Sequence, residues 1–231
     1  MLAFFFVYTS NAQTPGLGTW STLNTRIQFN SNWNAFVEAQ TRSQKYYYDF
    51  SYHELKGGIG YDIKKQLLVF LAMGQYVTYT PSGNFKTPVL AKEFRLWQQL
   101  LVSNYINRLK LEHRYRIEQR FFDTGYRNRF RYLINAIVPI NKPGVEKNTF
   151  YTSLFMEIFL TDRAPHFERT RFFAGAGYRF TKLFTLQSGF LRQYDYQINK
   201  PGTGKTYFQT SLLFNIDEHK SKRENNPMQM D

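Results

Sequence analysis

Six charged side chains occupy every second position between residues 110 and 120. They are Lys110, Glu112, Arg114, Arg116, Glu118 and Arg120. Arginine forks bind carboxylates and phosphates through paired hydrogen bonds, so such a row can neutralise itself or hold an anion. The positions between the charges are mostly apolar or aromatic. A period of two places the charges on one face of a β-strand, whereas a helix would scatter them around its axis.

Charges with the same spacing occur in other segments, and together they form one set of candidate residues for a shared interior. The set is Glu38, Arg42, Glu93, Arg95, Glu112, Arg114, Arg116, Glu118, Arg120, Arg127, Arg129, Arg131, Glu157, Arg169, Arg171 and Arg179. If the strands close into a barrel, these charged faces line its lumen. Arginines outnumber glutamates, so two interpretations stay open. The rows pair with one another and stiffen the barrel, or their surplus leaves a basic path or pocket for a small anionic solute.

Two histidines fall beside carboxylates in predicted connections. His53 lies close to Asp49 and Glu54, and His166 lies close to Asp162. A histidine beside an acid in a loop is usually only solvated, and the chain has no GxSxG, HExxH or phosphate-loop pattern. The absence of cysteine excludes disulfides, thiol catalysis and cysteine-based zinc sites. We therefore assign no catalytic residue, no metal site and no cofactor.

The elements that carry these charges are predicted to be eleven strands, many of 10 to 13 residues. The segments are 20–29, 33–42, 54–63, 67–79, 92–102, 109–121, 127–140, 149–160, 169–180, 184–196 and 206–216. Aromatic residues make up 19% of the chain although its mean hydropathy is −0.50, as expected when apolar and polar residues alternate finely. No run approaches the roughly 18 apolar residues of a spanning helix, whereas a barrel strand needs only about 9 to 11.

These features predict an all-β fold, an antiparallel up-and-down transmembrane β-barrel of about 10–12 strands. Bacterial barrels of this kind have an even number of strands, which the count of eleven does not match. Short turns are expected on the periplasmic side at 30–32, 64–66, 104–107 and 181–183. Longer extracellular loops are expected at 43–53, 80–91, 121–126, 161–168 and 197–205. The segment 141–148 is an exception, since it is long where a short turn is due.

The chain divides into three predicted regions. Residues 1–12 are predicted to be a signal peptide, because an apolar stretch precedes small residues that end at Ala12. The positively charged residues that usually begin a signal peptide are missing. Either the true start of the protein lies upstream of Met1, or this stretch is a buried apolar strand. Residues 13–216 are the predicted barrel, and residues 217–231 are a predicted flexible polar tail.

The net charge of +13 does not indicate nucleic-acid binding, because the basic residues alternate with apolar ones inside strands. The expected partners are outer-membrane lipid, lipopolysaccharide and the barrel assembly machinery, with a small anionic solute as a further candidate. We expect a monomer in the bacterial outer membrane.

Four segments together resemble the DUF2490 family. They are GTWSTLNTRIQFNSNWNAFVEAQTR, EFRLWQQL, LEHRYRIEQRFF and RNRFRYLINAIVPIN, and the similarity runs from about Trp20 to Ile216. Their order and spacing carry the resemblance, since each segment alone is degenerate. The family consists of outer-membrane-type proteins common in Bacteroidetes. The resemblance implies an outer-membrane β-barrel and brings no activity or site residue with it.

Three functions are therefore open. The first is a non-enzymatic outer-membrane barrel, either a narrow pore or a structural or ligand-binding barrel with a salt-bridged basic lumen. The second is an outer-membrane enzyme that acts on lipid or lipopolysaccharide through the loop histidines and acids. The third is a soluble, secreted β-barrel binding protein.

Overall fold

The computed structural model describes residues 13–86 and 88–217, and every regular element in them is a β-strand. The strands are β1 (Gln13–Gln28), β2 (Trp33–Lys45), β3 (Tyr48–Lys64), β4 (Leu67–Tyr79), β5 (Val89–Ile106), β6 (Leu109–Phe122), β7 (Gly125–Pro139), β8 (Thr149–Thr161), β9 (Phe167–Arg179), β10 (Phe184–Asp195) and β11 (Thr203–Asp217). No helix in this part of the chain is long and apolar enough to span a membrane. The predicted signal peptide and the predicted tail beyond Asp217 lie outside the described residues.

The eleven strands form one closed barrel in which strands that are consecutive in sequence are neighbours in the sheet. The consecutive pairs are all antiparallel. β1 and β11 are parallel, with Leu17 opposite Thr206 and Gln28 opposite Asp217. In a meander of odd strand number the first and last strands run in the same direction, so closure requires one parallel pair. The predicted all-β barrel of about 10–12 strands is confirmed, and its strand number equals the eleven counted from the sequence. The parallel pair of β1 and β11 departs from the purely antiparallel pairing that was expected.

The two ends of the barrel are named after their longest connections. The 80–88 end carries the connections 46–47, 80–88, 123–124, 162–166 and 196–202. The 140–148 end carries the connections 29–32, 65–66, 107–108, 140–148 and 180–183. The chain enters β1 at the 80–88 end and leaves β11 at the 140–148 end, as an odd number of strands requires.

Two connections that were expected to be long loops are two-residue turns. The predicted loops 43–53 and 121–126 reduce to 46–47 and 123–124, because the flanking strands continue further than their alternation indicated. Both ends of the barrel therefore combine tight turns with longer connections, and the difference in loop length between them is smaller than predicted.

The alternation of β6 gives the strand two unlike environments. Glu118 is fully buried, whereas its neighbour Ile117 is 44% exposed. The same inversion, with charges inside and apolar side chains outside, holds along β7 and β8, where Arg131 and Glu157 are buried and Phe130 is exposed. Successive side chains of a strand point to opposite faces of the sheet. In a closed barrel, one face points into the lumen and the other points outward.

Apolar side chains fill the parts of the lumen that the charges leave. One buried cluster comes from β2, β4 and β5 and contains Phe36, Leu68, Phe70, Ala72, Trp97 and Leu101. A second comes from β1 and from β7 to β11 and contains Trp20, Leu133, Phe155, Phe173, Leu191 and Tyr207. The interior is therefore packed with large side chains, and the barrel wall surrounds a core.

The connection 140–148 folds over its own end of the barrel. Val145, at 7% exposure, packs with Ile137 and Tyr151 inside the lumen. Arg179 holds the segment in place, since its Nη1 donates a hydrogen bond to the Val145 carbonyl oxygen at 3.0 Å. The connection therefore places one apolar side chain in the mouth of the barrel at this end.

Candidate functional site

Most of the charged candidates belong to a single ion-pair network inside the barrel. The network joins Glu93, Arg95, Arg114, Arg116, Glu118, Arg120, Arg127, Arg129, Arg131, Glu157 and Arg171 with Glu168. Eight arginines thus share four carboxylates in a region that is almost fully enclosed. We name this group the arginine network.

Glu118 lies at the centre of the arginine network. Its side chain is fully buried, and the Nη1 atom of Arg131 lies 2.6 Å from its Oε1. Arg116 and Arg129 each approach its carboxylate to 3.5 Å, and Arg95 approaches to 3.8 Å. A buried carboxylate surrounded by four guanidinium groups has ample compensation for its lost hydration.

Glu157 and Arg131 connect the centre of the network to β9. The Oε1 atom of Glu157 lies 2.7 Å from Nη2 of Arg114 and 2.7 Å from Nη2 of Arg131. Its Oε2 atom is 3.5 Å from Nη1 of Arg171. Because Arg131 also contacts Glu118, its planar fork bridges two carboxylates, which is the geometry that favours arginine over lysine.

Glu168 connects three arginines of the network near the 80–88 end. It receives Nε and Nη2 of Arg129, each at 2.7 Å, in a bidentate pair. Arg120 and Arg127 contact the same carboxylate at 3.4 and 3.5 Å. One carboxylate therefore serves three arginines here.

A second network lies on β2 and β3 and contains the candidate Glu38. The Nζ atom of Lys56 lies 2.7 Å from Glu38 and 2.8 Å from Glu54. Asn24 donates to the other oxygen of Glu38 at 2.8 Å, and the Tyr52 hydroxyl donates to Glu54. Each of these carboxylates therefore has both a cation and a neutral donor.

The remaining candidates lie outside the arginine network. Arg42 contacts Glu54 at 3.6 Å, and Arg169 pairs with Asp195. The other two lie toward the 140–148 end: Glu112 pairs with Lys110 at 2.5 Å, and Arg179 donates to backbone oxygens of Val145, Thr181 and Lys182.

Several interior arginines also stack on aromatic rings. The Arg42 guanidinium carbon lies 3.4 Å from the centre of the Trp20 ring and 4.1 Å from that of Tyr52. That of Arg116 lies 4.0 Å from the Trp97 ring centre. Such contacts orient a guanidinium group and leave its edge available for hydrogen bonds.

A cavity of about 380 Å³ lies between the two networks, at the 80–88 end. Its cationic lining residues are Arg42, Lys56, Arg95, Arg120, Arg127, Arg129, Arg131, Arg169 and Arg171. Its lining carboxylates are Glu54, Glu93 and Glu168. The wall is thus strongly basic, and the aromatic rings of Tyr52, Tyr76, Tyr79, Phe159 and Tyr207 complete it. A pocket of this composition and volume suits a small organic anion.

A family model matches residues 17–203, which is most of the chain and extends from β1 to the start of β11. Its description is "Protein of unknown function (DUF2490)". The chain belongs to the DUF2490 family. No curated protein and no solved structure shows detectable similarity to it.

Two histidines of this DUF2490 barrel, His53 and His166, were predicted to lie close to carboxylates. His53 faces outward from β3 and packs against Tyr79 and Phe85, with ring centres 5.6 and 5.5 Å away. His166 has a ring nitrogen 3.1 Å from the Thr161 backbone oxygen. Within residues 13–86 and 88–217, neither histidine forms a hydrogen bond with a carboxylate, and no three histidine or acidic residues are grouped for a metal ion.

Sequence reasoning missed Glu168, which belongs to the DUF2490 arginine network. The residue falls in the predicted loop 161–168, and it lies next to Arg169, which already occupies an inward position. A register irregularity between Phe159 and Leu160 on the neighbouring strand breaks the strict alternation, because Phe159 pairs with Arg169 and Leu160 with Phe167. Both Glu168 and Arg169 therefore reach the interior. Strict alternation cannot predict this, because it places consecutive residues on opposite faces.

Proposed function

We propose that this protein is an outer-membrane β-barrel that binds a ligand and is neither an enzyme nor an open pore. The observation that carries the proposal is the inverted distribution of its side chains. Ion pairs are buried inside the barrel, while large apolar side chains are exposed around its outside. A water-soluble barrel places apolar residues inside, and an exposed apolar surface of this extent needs lipid or a partner to cover it.

The outer surface has the zones of a membrane-spanning barrel. Aliphatic residues occupy its middle: Leu23, Val37, Leu55, Ile59, Leu71, Met73, Ile117, Leu154 and Met156 are all at least 44% exposed. Toward the 140–148 end follow aromatic contacts such as Trp33 with Tyr61. Toward the 80–88 end follow contacts such as Phe167 with Tyr196. An apolar band between two aromatic girdles is typical of outer-membrane barrels.

Strand length and polar pairing also support a membrane environment. The strands contain 12 to 18 residues, more than the roughly 9 to 11 that a tilted strand needs to cross a bilayer. Polar side chains on the outer face satisfy one another: Gln98 and Gln119 exchange hydrogen bonds of 3.3 and 3.2 Å, and His113 lies 2.9 Å from the Tyr132 hydroxyl. Such pairing lowers the cost of polar groups in lipid.

Ligand binding is favoured over conduction because the interior is filled. Two apolar clusters and the arginine network occupy the lumen, and Val145 packs into the 140–148 end against Ile137 and Tyr151. An interior cavity of about 380 Å³ adjoins the other end, where Arg127 reaches solvent with 31% of its side chain exposed. We call this proposed shape a cup: a barrel that is closed at the 140–148 end and has a basic cavity that opens at the 80–88 end.

The first experiment is to express the chain with a working signal peptide and fractionate the cells. We expect the protein in the outer-membrane fraction and a faster-migrating band when the sample is not boiled before SDS gel electrophoresis. We also expect no ion-channel steps after reconstitution into planar bilayers. Recovery in the soluble fraction with a single band would refute the membrane location, and steady conductance steps would refute the closed cup.

A further inference from the structure

We propose that the cavity at the 80–88 end binds a phosphate group, carried by a small organic molecule or by a lipid headgroup, between Arg42 and Arg171, with Arg127 at the entrance. This inference rests on the proposed ligand-binding function and names the chemistry of its ligand. It is carried by the surplus of positive charge around the cavity and by three arginines whose contacts with carboxylates are long and shared.

The surplus of charge remains after the carboxylates behind the wall are included. Nine cations line the cavity: Arg42, Lys56, Arg95, Arg120, Arg127, Arg129, Arg131, Arg169 and Arg171. Arg114 and Arg116 lie behind them and pair with the buried Glu157 and Glu118. The carboxylates that pair with all these cations are Glu38, Glu54, Glu93, Glu118, Glu157, Glu168 and Asp195. Eleven cations thus face seven carboxylates, a surplus of four among the described residues. An anion of high charge offsets such a surplus better than a neutral solute does.

Arg42 is the first of the three arginines. Its Nη2 atom is 3.6 Å from Glu54, which already binds Lys56 at 2.8 Å and accepts a hydrogen bond from Tyr52. Its Nε–H is buried and has no hydrogen-bond acceptor among the described residues. The guanidinium group is nevertheless held in place on the Trp20 ring. It is a preoriented donor with little competition from protein acceptors.

The Arg171 guanidinium group approaches the same indole ring as Arg42, and its Nε donates a hydrogen bond to Oε1 of Gln193 at 3.0 Å. Its guanidinium carbon is 4.7 Å from the centre of Trp20. Its single ion pair, with Glu157 at 3.5 Å, is longer than those that Arg114 and Arg131 make with that carboxylate. Two like charges on one ring repel each other, and an anion that bridges them removes this repulsion. Phosphate fits because its oxygens accept from two arginine forks at once.

Arg127 lies at the entrance of the cavity. It is the most exposed arginine of the network, with 31% of its side chain accessible. Its ion pair, at 3.5 Å, is with the shared Glu168, and its guanidinium carbon lies 5.0 Å from the centre of the Phe122 ring. Its Nε–H likewise lacks an acceptor in the described part of the chain. A cation at the mouth attracts anions from solution and increases their rate of entry.

The test uses the full-length barrel in neutral detergent, titrated by isothermal calorimetry with pyrophosphate and with glucose 6-phosphate. We expect one site per barrel. Arg42→Gln and Arg171→Gln should each weaken binding about tenfold or more, as expected for the loss of a charge-assisted contact. Arg163→Gln is the matched control: it removes the same charge from an exposed loop at the same end, outside the cavity, and should leave affinity unchanged. Equal losses in all three variants would show nonspecific attraction and overturn the site.

A second arm separates the two sources of phosphate. The barrel is placed in phosphatidylcholine nanodiscs with or without phosphatidic acid, and native mass spectrometry records the lipid that stays bound. Retention of phosphatidic acid without binding of the soluble probes identifies a headgroup ligand, provided that Arg171→Gln abolishes it. Binding of neither class overturns the inference.

Two further measurements keep the outcomes distinct. If buried substitutions prevent folding, Arg127→Gln at the entrance still tests the site, and it should weaken binding of the soluble probes. Heat-modifiability is recorded on every preparation. A membrane barrel that migrates normally and binds no phosphate contradicts this inference alone, whereas a protein that is not a membrane barrel contradicts the proposed function.

Discussion

Glu118 and Arg116 occupy adjacent inward positions on β6, yet they should respond differently to neutralisation. Glu118→Gln removes the carboxylate that four arginines share, and it should lower the free energy of unfolding by about 3–5 kcal/mol, the cost of leaving buried charges unpaired. Arg116→Met removes one member of a cationic surplus and leaves Gln99 without its donor, so we expect a loss of only about 1–3 kcal/mol. Denaturant titration in phospholipid vesicles measures both.

The control for this pair is Glu146→Gln in the connection 140–148. Glu146 is 63% exposed and pairs with Lys142 at 3.1 Å, so its loss should cost at most about 1 kcal/mol. A larger loss for Arg116→Met than for Glu118→Gln would mean that the interior has no cationic surplus, and the argument for a bound anion would lose its basis.

Ile117 tests the opposite face of the same strand. Ile117→Arg should cost about 2–4 kcal/mol if the position lies near the bilayer midplane. Ile106→Arg, at the 140–148 end of β5, changes an equally apolar and more exposed residue but should cost only about 0–1 kcal/mol, because the charge can reach the interface. Equal stability of the two variants in vesicles would count against lipid contact at Ile117.

Single residues show both the strength and the limit of the periodicity argument. Alternation predicted the two faces of β6, because one side-chain period fixes every residue of a regular strand. It could not predict the shared contacts, since Glu157 meets Arg114 and Arg171 through strand register and barrel closure. These relationships are non-local, and no spacing within one strand encodes them.

At the scale of elements, the seam between β1 and β11 is the least expected feature. Its parallel register places Leu23 opposite Leu212, and both side chains face outward. The chain contains no cysteine, so the double variant Leu23→Cys/Leu212→Cys should form one cross-link on oxidation or with a short bifunctional thiol reagent. A shift in mobility on a non-reducing gel detects it.

The matched control pairs Leu23→Cys with Leu186→Cys. Leu186 lies opposite Leu212 on β10, one strand further from β1, which places it about 10 Å from Leu23 at the usual strand spacing. This pair should not cross-link in the folded barrel. Efficient cross-linking of the control, or none in the seam pair, would contradict the eleven-strand closure.

The connection 140–148 shows why some element lengths resist prediction. Its length is unusual for a turn, and its sequence, NKPGVEKN at 141–148, has one large apolar residue, Val145. That residue is buried only because the connection folds back into the mouth between Ile137 and Tyr151. Because the partners belong to β7 and β8, the local composition indicates an exposed loop, whereas the structure buries Val145.

For the whole molecule, the odd number of strands has a topological consequence. β1 begins at the 80–88 end and β11 finishes at the 140–148 end, so the two ends of the described chain lie on opposite sides of the barrel. If the barrel spans the outer membrane, one of them faces the outside. The orientation then decides whether the basic cavity samples solutes of the medium or of the periplasm.

We expect the 80–88 end to face outward, because three of the five predicted longer loops contribute residues to the cavity wall. A cup closed at the 140–148 end also cannot receive ligand from that side. Lys86→Cys and Lys147→Cys place one thiol on each end in a chain that has no other. In intact cells a membrane-impermeant thiol reagent should label Lys86→Cys only, and Lys147→Cys should react after the envelope is opened. The reverse pattern would turn the cup toward the periplasm. Labelling of both in intact cells would mean that the barrel does not separate two compartments, and the membrane-spanning arrangement would have to be abandoned.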